Sequence, residues 1–256
     1  MSPESASARA FQPQEFRRRE GGEETCILFN RAVFPVAHEI PFDANAITGQ
    51  YTMTGSAAGR GTTLFFHGED RDLVLRHYRR GGLVARLSED AYLWRGLRAT
   101  RAVREWELLV WMRARGLPVP EPVAVRVQRR GGWYRADIIT VRIRHTETLM
   151  ARLAAGGLPV AAWAAVGATI GRFHAAGVFH ADLNAANILL DEEGGVYLID
   201  FDRARRRRPA PGWQGANLRR LRRSLDKAAA QGKLHFAESD WQALVAAWQG
   251  TVARGG

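Results

Sequence analysis

Residues 180 to 191 read HADLNAANILLD, and residues 198 to 205 read LIDFDRAR. A histidine, two asparagines and several aspartates interrupt apolar runs here, so these polar groups are either satisfied within turns or gathered around something charged. His180, Asp182 and Asn187 have the spacing H-x-D-x-x-x-x-N, and Asp200-Phe201-Asp202 follows a short apolar segment. Phosphoryl transfer uses these residue types together. One aspartate accepts the proton of the attacking hydroxyl, while an amide oxygen and a second carboxylate hold Mg²⁺ against nucleotide phosphates. Asp182 is the candidate catalytic base, and Asn187 and Asp200 are the candidate metal ligands. His180 joins the catalytic group as the residue that orients the loop. A lone H-x-D would carry little weight, but the asparagine at the right offset and the D-F-D triplet compound it.

The elements that must position these residues follow from patterning. NILLD and VYLID are short apolar runs separated by EEGG, a small hairpin. Upstream, strands are expected at Thr48 to Thr54, Thr62 to His67, Leu73 to Tyr78, Pro122 to Gln128 and Trp133 to Ile139, with the turn sequence RRGG joining the last two. In TRAVREWELLVWMRAR, from Thr100 to Arg115, Val103, Trp106, Leu109 and Val110 recur at helical spacing, and Gly116, Pro118 and Pro120 end the run. After about Arg144 the pattern becomes long and helical. The expected fold is therefore α+β and two-lobed, with an antiparallel sheet in the N-lobe and a mainly helical C-lobe. Residues 1–40 are expected as a flexible or irregular arm, 41–144 as the N-lobe and 145–256 as the C-lobe. The catalytic loop would aim into the cleft between the lobes.

TMTGSAAGRGTTLFF places Gly55, Gly59 and Gly61 between two expected strands, where small residues let backbone N–H groups approach phosphates. Glycines also mark ordinary hairpins, and both readings stand. The segment matches neither a Walker A loop nor a dinucleotide fingerprint. In LVLRHY, strand alternation puts Val74, Arg76 and Tyr78 on one face.

At 256 residues with 46% hydrophobic content the chain has ample core for one large domain or two lobes, and global disorder is excluded. A single cysteine, Cys26, excludes an intramolecular disulfide, and no metal-spaced Cys/His cluster exists. The uncharged stretch LAAGGLPVAAWAAVGATIG, from Leu153 to Gly171, is Ala- and Gly-rich and broken by Gly156, Gly157 and Pro159. It reads as a buried helix starting near Pro159, with Trp163, Ile170 and Phe173 on one face and Gly177 ending it, so no transmembrane segment is expected. The net charge of +11 points to an anionic partner. Arginine concentrates between Arg76 and Arg104 and between Arg203 and Arg223. From Asn217 onward Leu218, Leu221 and Leu225 share one helix side and arginines crowd the other, the pattern of an interfacial amphipathic helix, though also of a solvated basic face. Nucleic acid is not the expected partner, because aromatic platforms are not interleaved with the arginines, apart from Trp213.

The catalytic loop resembles that of the protein-kinase-like superfamily. Asp202 stands where D-F-G has glycine, Ala181 follows His180 in place of arginine, and no A-P-E segment follows, departures that point toward small-molecule and sugar kinases of that fold. LRHYRRGGLVARLSEDAYLWRGLRATRAVREWELL, with HADLNAANILL, LIDFDRAR and WQGANLRRLRRSLDK, narrows the resemblance to the lipopolysaccharide inner-core kinases over roughly residues 45 to 232. The resemblance implies ATP and Mg²⁺ as cofactors. It also implies phosphorylation of the 4-hydroxyl of 3-deoxy-D-manno-octulosonic acid (Kdo) on a Kdo-lipid A precursor, by a peripheral protein on the cytoplasmic face of the inner membrane, with no obligate protein partner. The superfamily's phosphate-holding lysine falls on Arg76, whose helix partner would be Glu105, with Glu107 as competitor. Arg79, Arg80, Arg219, Arg220, Arg222 and Arg223 are the candidates for binding the acceptor or an anionic membrane surface. Other core-sugar kinases such as a heptose kinase, an aminoglycoside-type phosphotransferase, and an inactive relative binding anionic lipid stay open.

Overall fold

The computed structural model describes residues 11–58, 62–79, 91–232 and 234–255. The chain divides into two compact units, Met1–Glu107 with Glu121–Arg142, and Leu108–Pro120 with Ile143–Gly256. The α+β class expected from the sequence is what the elements form.

In the first unit β1 (Pro13–Glu20), β2 (Glu23–Asn30), β3 (Thr52–Ala58), β4 (Thr62–Gly68), β5 (Arg71–His77), β6 (Tyr92–Leu93), β7 (Pro122–Arg130) and β8 (Trp133–Val141) build one antiparallel sheet in the order β1-β2-β7-β8-β5-β4-β3, with β6 on β8. Strand alternation sends Leu73 and Leu75 into a core with Ile27, Phe29, Phe66, Val123 and Ile139. Val33, Phe34, Ile40, Phe42 and Ile47, from the segment between β2 and β3, pack onto the same core. Arg76, one residue out of phase with Leu75, therefore belongs to the opposite face.

Two expectations are corrected here. The arm expected at the N-terminus is, from Pro13, a strand pair: β1 registers on β2 through a turn at Gly21 and Gly22, both with positive φ. Every residue of β1 is exposed, so its polar sequence suits an edge strand, while β2 buries Cys26, Ile27 and Phe29. The strand expected from Thr48 starts only at Thr52, because Ala44–Gln50 forms a helix, α1. The Asp43 carboxylate caps it by accepting from the Ala46 N–H at 2.8 Å, and Ile47 is its buried contact. A local cap overrides the β-propensity of Thr48.

The helix α2 (Arg101–Arg113) starts in the first unit and ends in the second, where Gly116 at φ 66° turns the chain. The second unit then holds β9 (Thr146–Thr148), α3 (Leu149–Ala155), α4 (Val160–Ala175), β10 (Val178–Phe179), β11 (Ile188–Asp191), β12 (Val196–Leu198), β13 (Arg205–Arg206), α5 (Pro211–Ala230) and α6 (Glu238–Arg254). The expected hairpin is β11 against β12, with β9 on the other side of β11. Pro159 precedes α4, whose Trp163, Ile170 and Phe173 are buried, and Gly177 follows it at φ 77°. A Cβ on Gly167 would run into the Leu244 carbonyl of α6, and one on Gly171 into Thr251. The small residues of this uncharged stretch thus allow two helices to approach closely. Among the described residues no helix is long and apolar enough to cross a membrane.

Candidate active site

In the second unit the catalytic loop runs from β10 through a 3₁₀ turn, Ala185–Asn187, into β11. The Asn184 side chain caps that turn, its Oδ1 accepting from Ala186 N at 2.8 Å, while its Nδ2 donates to the Asp182 carbonyl at 3.0 Å. Asn187 Nδ2 donates to the same carbonyl at 2.9 Å, which turns its amide oxygen away from the loop backbone. The Ile199 N–H donates to the Asn187 carbonyl at 3.1 Å, so Asp200 follows directly on a residue bonded to Asn187. Asp200 adopts φ 65°, the left-handed region that aspartate tolerates better than most residues. An amide oxygen and a carboxylate are hard donors that suit Mg²⁺, which takes one or two protein ligands and completes its shell with water and substrate phosphates. Among the described residues no group of three or more His, Cys, Asp or Glu is placed to hold a metal ion. The residues present fit the ion.

His180 is buried, and both of its ring nitrogens are committed to backbone groups. The Asp182 N–H donates to Nδ1 at 3.2 Å, which places the ring proton on Nε2, and Nε2 donates to the Ile199 carbonyl at 2.9 Å. The imidazole ties the catalytic loop to the segment carrying Asp200, a positioning role. Behind it lies a network with no signature within the loop itself. Trp248 Nε1 donates to His174 Nδ1 at 2.9 Å, so the His174 proton sits on Nε2, 3.2 Å from Asn217 Oδ1. Asn217 Oδ1 also accepts from the His180 N–H at 3.3 Å, and its Nδ2 donates to the His180 carbonyl at 2.6 Å. Three helices, α4, α5 and α6, converge through these side chains on one residue of the loop.

Burial pushes the His174 imidazole down to about 4, against the opposing pull of its Asn217 hydrogen bond and with a small push from His180. The ordinary value of 6.5 belongs to the unfolded chain. The unfolded state therefore binds a proton that the folded state refuses, and stability falls as pH drops from 6.5 toward 4 and levels off below. The shift corresponds to about 3 kcal/mol. Urea unfolding at steps from pH 7 to 4.5 is expected to show an excess slope of about one proton for the wild type, absent in His174→Gln. Parallel slopes in the two proteins would refute this assignment.

The Asp182 carboxyl lies below the usual range. Burial raises it, but the hydrogen bond and charge of Arg220 outweigh that, aided by Asn184 and His180. Arg220 on α5 donates from Nη2 to Asp182 Oδ1. Arg222 is paired with Asp226 at 2.7 Å and Glu238 at 2.8 Å, so the structure gives it intramolecular work. Arg219 and Arg223 are exposed. The expectation of an interfacial helix meets a correction: Leu218, Leu221 and Leu225 are buried within the second unit, leaving α5 no apolar face to insert into a membrane. Its exposed charges are mostly cationic, Arg219, Arg220, Arg223 and Lys227, with Asp226 among them.

In the first unit the structure brings Arg76 and Glu105 together. Arg76 Nη2 lies 2.5 Å from both carboxylate oxygens of Glu105, and the Tyr78 hydroxyl donates to Oε2. Glu105 is only 4% exposed, whereas Glu107 is exposed, so the buried face of α2 decides between the two candidates. Gly55 sits in β3 at a register shift between Met53 and Gly55. Gly59, Gly61 and Arg80 lie outside the described residues, and Arg79 is exposed.

A family model described as the lipopolysaccharide kinase (Kdo/WaaP) family matches residues 45–248. The chain is similar to 3-deoxy-D-manno-octulosonic acid kinase of Photobacterium profundum, 43% identical over 203 residues that cover 79% of this chain and 86% of the relative. It is also similar to proteins of that name from Stenotrophomonas maltophilia, 40% identical over 93% of this chain and 94% of the relative, and from Haemophilus influenzae, 40% identical over 81% and 89%.

Proposed function

The chain belongs to the lipopolysaccharide kinase (Kdo/WaaP) family, and from that premise we propose that it is an ATP-dependent kinase that phosphorylates the 4-hydroxyl of Kdo on a Kdo-lipid A precursor. The family makes it a phosphotransferase of protein-kinase-like, α+β fold. The observation that carries the finer reading is the catalytic loop: an aspartate with a side chain 42% exposed, on a backbone locked by His180, Asn184 and Asn187, in a chain about 40% identical to relatives named for Kdo phosphorylation.

In this reading Asp182, ionised at neutral pH as an aspartate is, accepts the proton of the attacking sugar hydroxyl. Asn187 and Asp200 hold Mg²⁺, which when bound neutralises charge on the nucleotide phosphates. Arg76 binds phosphate through its guanidinium while Glu105 fixes its direction, and Gly55, without a side chain, lets the β3 backbone approach phosphate. His180 holds the loop. Exposed arginines, among them Arg79, Arg219 and Arg223, favour an anionic leaflet and fit a peripheral protein at the cytoplasmic face of the inner membrane, held by charge alone because the leucines of α5 are buried.

The test is transfer of labelled phosphate from Mg-ATP to Kdo-lipid IVA, run beside an aminoglycoside and a heptose acceptor. Labelling of the Kdo lipid alone is expected. Labelling of another acceptor in preference to it would overturn the substrate, and no labelling of any acceptor by folded protein would overturn the activity.

A further inference from the structure

The helix α5 runs along the catalytic loop and touches it on successive turns. Asn217 holds the backbone of His180, Arg220 meets the Asp182 carboxylate, and Ser224 Oγ accepts from the Ala185 N–H at 3.4 Å. Spacings of three and four put these side chains on one stripe of the helix, so Arg220 is fixed in place by a loop contact one turn before it and another one turn after. Its pairing with Asp182 is thus built into the fold of the second unit.

The pair is poorly explained by stability. Both side chains are about half exposed, at 48% and 42%, and exposed ion pairs contribute little. It is also an odd neighbour for a base, since a permanent cation sits on an oxygen that would have to accept the proton. The arrangement makes chemical sense if an anion on the incoming acceptor shares or takes over the guanidinium. Arginine has five N–H donors in a planar fork that matches a carboxylate bidentately, and only Nη2 is engaged by a hydrogen bond among the described residues. Kdo is an ulosonic acid: its carboxylate is attached to C2, two ring carbons from C4.

We propose that Arg220 is a specificity-determining residue that binds the carboxylate of the acceptor sugar and thereby sets the neighbouring hydroxyl against Asp182. This rests on the Kdo reading above. Arg220 then has two states. Without acceptor it pairs with Asp182, and with acceptor it bridges the sugar carboxylate while Asp182 turns its oxygen to the hydroxyl. Arg222, tied to Asp226 and Glu238, cannot make the same exchange without breaking two bonds.

The experiment compares kcat and KM for Kdo-lipid IVA and for the same lipid with its carboxyl group reduced to the alcohol, using wild type, Arg220→Met and Arg220→Lys. Carboxyl reduction is expected to lower kcat/KM of the wild type about 100-fold, the size expected for truncating one partner of a hydrogen-bonded charge pair. Arg220→Met is expected to lose a similar factor on the intact acceptor and little more on the reduced one. Arg220→Lys, which keeps the charge without the fork, should fall between, and it supplies the answer if the methionine variant fails to fold. An equal loss on both acceptors would overturn the proposal and leave Arg220 acting only on Asp182. Wild type that phosphorylates neither Kdo lipid overturns the Kdo reading, and this proposal with it.

Discussion

Asp182→Asn is expected to lower kcat for phosphate transfer by about 10²–10⁴-fold, the range a positioned general base contributes. The KM for ATP should change little, because the residue is proposed to touch the acceptor hydroxyl and not the nucleotide. The loop should survive the change. What anchors it is the Asp182 backbone, whose N–H donates to His180 and whose carbonyl accepts from Asn184 and Asn187, and the asparagine side chain replaces only the exposed pairing with Arg220. Steady-state kinetics with a melting curve of each protein check both halves. A variant that keeps more than a third of the wild-type kcat would remove Asp182 from the role of base. A variant that melts well below the wild type would instead mean that the Arg220 pair holds the loop in shape, contrary to its exposure.

The turn and hairpin of the candidate catalytic loop were legible because their signal is local: H-x-D-x-x-x-x-N spans eight residues, and the loop, the 3₁₀ turn and the β11–β12 hairpin all lie within one short stretch. Glu105 came only from the resemblance, with Glu107 as competitor, and it is the burial of Glu105 on α2 that decides between them. What escaped were contacts between distant segments. Asn217 lies 37 residues from His180, and Trp248 lies 74 from His174, so no local pattern joins them. A weaker signal was available: Gln214 and Asn217 fall on the same buried stripe of α5 as Leu218, Leu221 and Leu225, and a polar side chain on an apolar stripe must find a partner. The same stripe misled on the membrane. A helix with leucines on one side and arginines on the other reads alike whether the leucines face lipid or a protein core, and only tertiary packing shows that they are buried in the second unit. At the N-terminus β1 was hidden by composition, because an edge strand exposed along its whole length has no apolar alternation to display.

Arg76→Met is expected to lower stability by about 3 kcal/mol, the low end of the range for removing one partner of a buried ion pair, because Arg76 is itself 26% exposed while Glu105 is not. The reason lies in Glu105, not in the arginine. Its carboxylate is 4% exposed, and without the guanidinium the hydrogen bond from Tyr78 cannot balance a full charge held out of water. The prediction separates the pair's worth from the cost of breaking it. Replacing both residues, as in Arg76→Met with Glu105→Gln, removes the charge along with its counter-ion and is expected to recover most of the lost stability in urea unfolding. Phosphate transfer should not recover with it, because the amide restores the fold and not the cation proposed to bind phosphate. Arg76→Lys tests the remaining point, whether charge alone suffices. The lysine can offer one ammonium to Glu105 where Arg76 offers the single nitrogen Nη2 to both carboxylate oxygens, so stability should stay nearer the wild type than in Arg76→Met. If Arg76→Met and the double variant were equally unstable, the loss would come from packing of the arginine stem. If both were as stable as the wild type, Glu105 would not depend on Arg76 for its burial, and Arg76 would need another account.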